Sequence, residues 1–483
     1  MRALVVTAAF ILAAQFALAA DFEGLPAPAE PRAPKFLVPQ EKTLANGLRV
    51  IVVKRPGVPL VSAQVLLRSG SEADPAAASG LAAFTAALLT QGTATRSATQ
   101  IAREVESLGA TLKATADWDG SVVELTALSE QLEPAFVLLA DVTRRPKFAT
   151  AEIERLRRQT LDDLRLSLEE PGTVAKLVAG RVILGRGLYA HPAQGTVASI
   201  QRLRRQEIAD FHTARYTAGE ALLIIAGNIP ADTAFALAEK NFGDWKPAPE
   251  KPGSALAAFA PAAKPRAILI DMPQAGQAAV LIGGPGIARN AGEYFAGTVA
   301  NTVLGGGYTS RLNQEIRLKR GLSYGARSTL TALRAGGLLT ARCQTKNASA
   351  PEVVELMRTE LQRLGSEAVP ADYLATRQAM LGGDFARELE TNAGYVARIA
   401  DFAMHGLTLD QLPLYLARIR EVTAEDVQGF SEKHLLPKAM SVVVAGQAKE
   451  IAKPLRALFP TLEVIVQADL DLDSPTLRRG GKR

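Results

Sequence analysis

Apolar and polar positions along this chain change period repeatedly, and the changes come twice in the same order. Short apolar runs over 48–54 and 61–68, and again over 267–271 and 278–283, predict strands at the start of two successive halves. In each half a helical stretch follows, then a strand pair, a longer helical region and a short apolar strand ending in Ala-Gly. Residues 200–228 (IQRLRRQEIADFHTARYTAGEALLIIAGN) and 419–447 (IREVTAEDVQGFSEKHLLPKAMSVVVAGQ) show the repeat most plainly. A shift of 219 positions carries Ile200 to Ile419, Ile208 to Val427, Phe211 to Phe430 and Gly227 to Gly446. Nearer the start of each half the offset is 215, taking Val65 to Val280, so small insertions separate the copies.

Strands and helices interleave without a glycine-rich nucleotide fingerprint, which predicts an α+β fold: two homologous halves, each an antiparallel-rich sheet covered by helices. The halves are expected at 41–246 and 266–468, joined by a Pro/Ala-rich linker over 247–265 (PAPEKPGSALAAFAPAAKP) and followed by a frayed basic tail at 469–483. Residues 80–93 (GLAAFTAALLTQGT) form a helix that is apolar on every side and stops near Gly92, which on composition is a core helix.

Composition narrows the chemistry. The 483 residues are 48% hydrophobic and 22% charged, too apolar for a disordered chain. A net charge of +6 is spread along the sequence rather than gathered in a basic block, which argues against a nucleic-acid partner. Cys343 has no second cysteine to pair with, and the four histidines, His191, His212, His405 and His434, have no spacing that makes a site. The start, Arg2 followed by an apolar run from Ala3 to Ala14 and then Ala17-Leu18-Ala19, reads as a cleaved signal peptide over 1–20, and hence as periplasmic export; uncleaved, the same run is a membrane anchor. A Pro-rich arm over 21–40 comes next, and no other stretch approaches membrane-spanning length.

The segments ANGLRVIVVK, LLRSGSEADP, GLAAFTAALLTQGT, LDDLRLSLEEP, YAHP and LGGGYTSRLNQEIRLKRGLSYG, together with the duplication, resemble the pitrilysin/insulinase family of inverted zinc metallopeptidases. The resemblance covers essentially the whole chain after the arm and implies a clamshell of two halves like that of the mitochondrial processing peptidases. In that family the first-half helix carries H-x-x-E-H, two zinc-binding histidines one turn apart and a glutamate that activates water. The matching residues here are Ala83, Phe84, Thr85, Ala86 and Ala87, with Asp163 at the place of the downstream third ligand, counted from Pro171. Methyl groups offer no lone pair, so the resemblance implies that this chain holds no zinc and hydrolyses no peptide alone. Asp163 by itself reads as an ordinary surface carboxylate.

The same resemblance matches Arg317 and Tyr324 to an arginine and tyrosine on the wall facing the metal helix, where they reach bound peptide. Read without it, they are a solvated helix arginine and a half-buried strand tyrosine. Ser310 and Asn313 are expected to cap the helix that carries Arg317, Gly321 to end it, and Tyr324 to open the next strand. Gly305, Gly306 and Gly307 are expected to form a flexible loop touching peptides rather than a phosphate loop, because no Lys-Ser/Thr follows. The reading is of an exported, catalytically incomplete peptidase subunit paired with a homologous zinc-bearing H-x-x-E-H chain. Unfolded peptides would lie along a strand edge of that partner. The alternative is a non-enzymatic peptide-binding or scaffolding protein derived from such a peptidase.

Overall fold

A computed structural model describes residues 36–185, 187–247, 259–262 and 264–481. The expected signal peptide, the arm as far as residue 35 and most of the linker lie outside the described residues. Two six-stranded sheets form the framework. The first comprises β1 (Gln40–Thr43), β2 (Arg49–Lys54), β3 (Leu60–Leu67), β4 (Thr111–Ala116), β5 (Ser121–Leu128) and β6 (Ala221–Gly227), in the order β1-β2-β6-β3-β5-β4. The second comprises β7 (Ala267–Asp271), β8 (Ala278–Gly286), β9 (Ala326–Ala332), β10 (Gly337–Thr345), β11 (Ser441–Gly446) and β12 (Glu463–Val466), in the order β12-β7-β11-β8-β10-β9.

Five strands correspond one to one. The Ala-Gly strand pairs parallel with the opening strand of its half and antiparallel with the second, β6 between β2 and β3, β11 between β7 and β8. The outer strands are not copies. β1 opens the first half and runs antiparallel to β2, whereas β12 closes the second half and runs parallel to β7. This is the α+β, antiparallel-rich architecture expected from the repeat, with β8 continuing three residues past its expected end.

The halves exchange a helix. Helix Pro171–Leu184 belongs to the first half in sequence, yet Val174, Val178, Val182 and Ile183 pack on Ile268, Ile270, Ala279, Leu281, Val443 and Ala445 of the second sheet. Reciprocally, helix Asn392–Met404 lies on β3 and β6 of the first sheet, where the Asn392 amide donates to the Leu60 carbonyl at 2.9 Å. The exchange explains β3: Val61, Ala63, Val65 and Leu67 face their own half's core, while Ser62, Gln64 and Leu66 are covered as well, so the strand is buried on both faces. A strand under two layers carries almost no alternation, which is why it reads as one apolar run.

Ion pairs cross the same boundary. Arg334, in the β9–β10 turn, donates to Glu72 at 2.7 Å through its guanidinium and to Asp119 at 2.7 Å through its backbone N–H, and Tyr189 donates to Asp119 at 2.6 Å. At the chain's end the basic tail departs from expectation: Leu470 and Leu477 are buried in the cluster built on the exchanged 171–184 helix, so apolar anchoring, not fraying, describes 470–478. Among the described residues, no helix is long and apolar enough to cross a membrane.

Candidate functional site

Helix Leu81–Leu88 forms within the expected 80–93 but ends at Leu88 rather than near Gly92, and is built from small and apolar residues with a carboxylate at its start. Asp74 accepts the N–H groups of Gly80 (2.8 Å) and Ala82 (2.9 Å), satisfying donors that a helix N-terminus leaves open. Burial pushes the Asp74 carboxyl up to about 7, against the pull of those two N–H groups. Gly80, at φ +87°, has Gly195 so close that an added Cβ would lie 2.7 Å from its Cα, so a glycine is required by both conformation and space.

On this helix Ala83 and Ala87 lie one turn apart and half-buried, and Ala86 is fully buried in the first-half core. The Arg157 guanidinium stands over the Phe84 ring, 5.9 Å from its centre. Asp163 is exposed on helix Thr150–Leu168. These residues do not fit zinc: three methyl groups and one carboxylate cannot supply the three protein ligands a catalytic site needs. No group of three or more His, Cys, Asp or Glu among the described residues is placed to hold a metal ion. The histidines serve elsewhere. His191 bonds the Ser71 carbonyl at 2.8 Å, His212 bonds that of Thr143 at 2.9 Å and stacks on Tyr216, His405 bonds Asp401, and His434 meets Glu293.

The Arg/Tyr segment differs locally from expectation. Arg317 sits in a π-helical stretch, Asn313–Leu318, in which the Lys319 N–H reaches five residues back to Gln314 at 3.0 Å. Wide turns of this kind concentrate at functional sites. Gly321, at φ +62°, does end it, with its N–H on the Arg317 carbonyl and that of Leu322 on Ile316. Ser310 and Asn313 do not form the expected side-chain cap. The Asn313 amide instead donates to the Gly307 carbonyl at 2.9 Å and its oxygen accepts the Ala326 N–H at 2.9 Å, tying the glycine turn to β9. A short polar side chain reaching two flanking backbones satisfies more buried groups than one N–H at a helix start would.

Arg317 and Tyr324 do not pair with each other. The Arg317 guanidinium lies over the Tyr308 ring, 4.3 Å from its centre. Glu315, the nearest acid in sequence, is held below its usual range by Lys319 and Arg320, leaving Arg317 without a carboxylate partner among the described residues. Tyr324 stands in a bend one residue before Gly325 and is 91% exposed, so it precedes β9 rather than opening it. Tyr308 is the residue sequence reasoning missed. Its only signal was its place directly after the three glycines.

Those glycines are packing positions more than a free loop. Gly305 ends helix Tyr294–Gly305 against β9, where an added Cβ would lie 2.2 Å from the Ser328 nitrogen, and Gly307 faces Met380 and Arg377. Thr309, just beyond, is held by Tyr373 and Arg377. None of the three lines the cavity beside them. That cavity, about 1000 Å³, lies between the start of the exchanged 171–184 helix and strands β8, β9 and β10, with Tyr324 at its rim.

Fold and site together define a duplicated, two-lobed peptidase architecture whose metal helix carries no metal donors. Residues 49–178 match the family model described as insulinase (peptidase family M16), and residues 202–381 match the one described as peptidase M16 inactive domain. The chain belongs to the insulinase/pitrilysin family, in its non-catalytic form. It is 26% identical over 424 residues to an uncharacterized zinc protease of Mycobacterium leprae (strain TN), covering 86% of this chain and 94% of that protein. A similarly named protein of Streptomyces coelicolor is 25% identical, covering 84% and 89%. Among solved structures, a peptidase M16 inactive domain from Pseudomonas fluorescens superposes with a TM-score of 0.78 at 28% identity, over 85% of this chain and 98% of that one. A protease from Helicobacter pylori, at 19% identity and a TM-score of 0.79, shares the fold over 85% of this chain and 100% of that one.

Proposed function

We propose that this chain is an exported, catalytically incomplete subunit of a zinc peptidase. It would pair with a homologous chain bearing H-x-x-E-H and lend Arg317 and Tyr324 to that partner's site. One observation carries the reading: an arginine stacked on tyrosine and a second, projecting tyrosine stand on a segment stitched by Asn313, in a chain whose own metal helix presents alanine. A guanidinium and a phenol donate hydrogen bonds to a peptide carbonyl and to the oxyanion that forms when it is attacked. Neither needs a metal of its own. The zinc and its activated water would belong to the partner, and unfolded peptides would be the substrate.

The test is a mixture of the two chains acting on an unstructured peptide. Arg317→Ala or Tyr324→Phe in this chain should lower turnover by about ten- to a thousandfold, the range for loss of one oxyanion donor. Tyr308→Ala should lower it less, because it positions Arg317. Unchanged turnover with the complex intact would defeat the assignment and favour a scaffolding or peptide-capturing role.

A further inference from the structure

The floor of the cavity between the 171–184 helix and the second sheet is built of cations. Arg342 and Arg327 are direct cross-strand partners on β10 and β9, so their side chains emerge side by side on the same face. Gln344 follows Arg342 on that face, Lys346 comes next just past the strand end, and Lys176 approaches from the helix. All line the cavity, and none of the four charged side chains makes an ion pair or hydrogen bond among the described residues. Glu170, at the helix start, is the one carboxylate in the lining.

Two like charges set directly opposite each other across a ladder destabilise a sheet. All four charged residues are exposed, so water screens part of this repulsion, while the concave lining concentrates the field that remains. Arg266, which leads into β7, is by contrast neutralised by Glu463. The unneutralised pair therefore fits an occupant that brings negative charge. Its spacing fits an extended chain. Arg342, Gln344 and Lys346 recur at every second residue, about 7 Å apart, the interval at which an extended peptide presents side chains on one face.

We infer that this cavity recognises an extended acidic peptide, with carboxylate side chains seated on Arg327, Arg342, Lys346 and Lys176. The inference rests on the subunit reading for its biological meaning, naming the class of peptide that subunit would favour. Its test needs neither partner nor turnover. Binding of a short labelled, unstructured peptide with Glu at alternate positions is compared, on this chain alone, with that of its Gln and Lys counterparts.

The Glu peptide should bind roughly ten- to a hundredfold more tightly than the Gln peptide, the equivalent of one or two charge-assisted hydrogen bonds. Arg342→Gln and, separately, Arg327→Gln should remove most of that preference. Each should leave the thermal midpoint unchanged or higher, because the repulsion is relieved. Lys42→Gln, on exposed β1 away from the cavity, should leave the preference intact. Equal binding of the Glu and Gln peptides overturns the inference. So does an equal loss in the Lys42 variant, which would trace the effect to net charge. Absence of hydrolysis in the two-chain mixture would bear on the subunit reading and leave this result standing.

Discussion

The two halves share five strands in the same order, yet the side chains they present differ in chemistry. The first half keeps the helix and its Asp74 cap but presents Ala83, Ala86 and Ala87 where donors would stand. The second keeps a shaped segment, π-helical and stitched by Asn313, that carries Arg317 and an outward Tyr324. Fold and chemistry are thus separable. Alanine leaves a helix's propensity and packing intact while removing every lone pair. A burial pattern therefore cannot reveal that a metal site has gone.

The halves are also not independent, because each packs a helix of the other's sequence on its sheet. Ile183 is first-half sequence, but it packs on the second sheet, and an added Cβ on Gly283 would lie 2.9 Å from its Cδ1. Ile183→Ala should cost about 2–5 kcal/mol, the range for truncating a buried large aliphatic side chain. Chemical denaturation gives the loss, and hydrogen exchange should show protection falling in β8 and β11 before β2 and β3. Loss confined to the first sheet would mean that the halves fold as their sequence order suggests.

A smaller effect sharpens the electrostatic boundary. Burial pushes Glu72 up to about 7 despite the Arg334 guanidinium, and Asp74 likewise to about 7, from ordinary values of 4.5 and 3.8. Both groups retain protons in the fold that the unfolded chain has released. Their stabilisation is thus complete below the ordinary values and is withdrawn as pH rises through 7. Burial lowers His212 to about 4 and also lowers His191, so these two act oppositely, losing stability as pH falls below 6.5. From pH 6.5 to 8 the carboxylates decide the sign. The thermal midpoint should fall by about a degree or two over that interval, and Glu72→Gln should flatten the slope. A midpoint that climbs with pH would show that the ion pair to Arg334 outweighs burial.

Much of the architecture was legible from the residues. The 219-residue repeat located β6 and β11, and the apolar runs placed β2, β3, β7 and β8 to within a few residues. What escaped depends on partners. β1 and β12 are four residues each, and β1 is exposed throughout, so neither presents a periodic signal. Nothing in the linear order tells which sheet buries the 171–184 helix. The Arg317–Tyr308 stack joins a turn to the π-helical stretch after it, and the Arg327–Arg342 pair follows from strand register, neither of which a linear pattern encodes. The alanines were legible only through the surrounding family resemblance, since alone they describe a core helix.

On the proposed function, this chain has no metal chemistry of its own and completes another chain's. The direct measurement is zinc content and peptide hydrolysis of the purified chain, alone and after addition of a homologous H-x-x-E-H chain. No stoichiometric zinc and no cleavage are expected from the chain alone, with hydrolysis appearing in the mixture. Stoichiometric zinc in the isolated chain, with cleavage that a chelator abolishes, would contradict it.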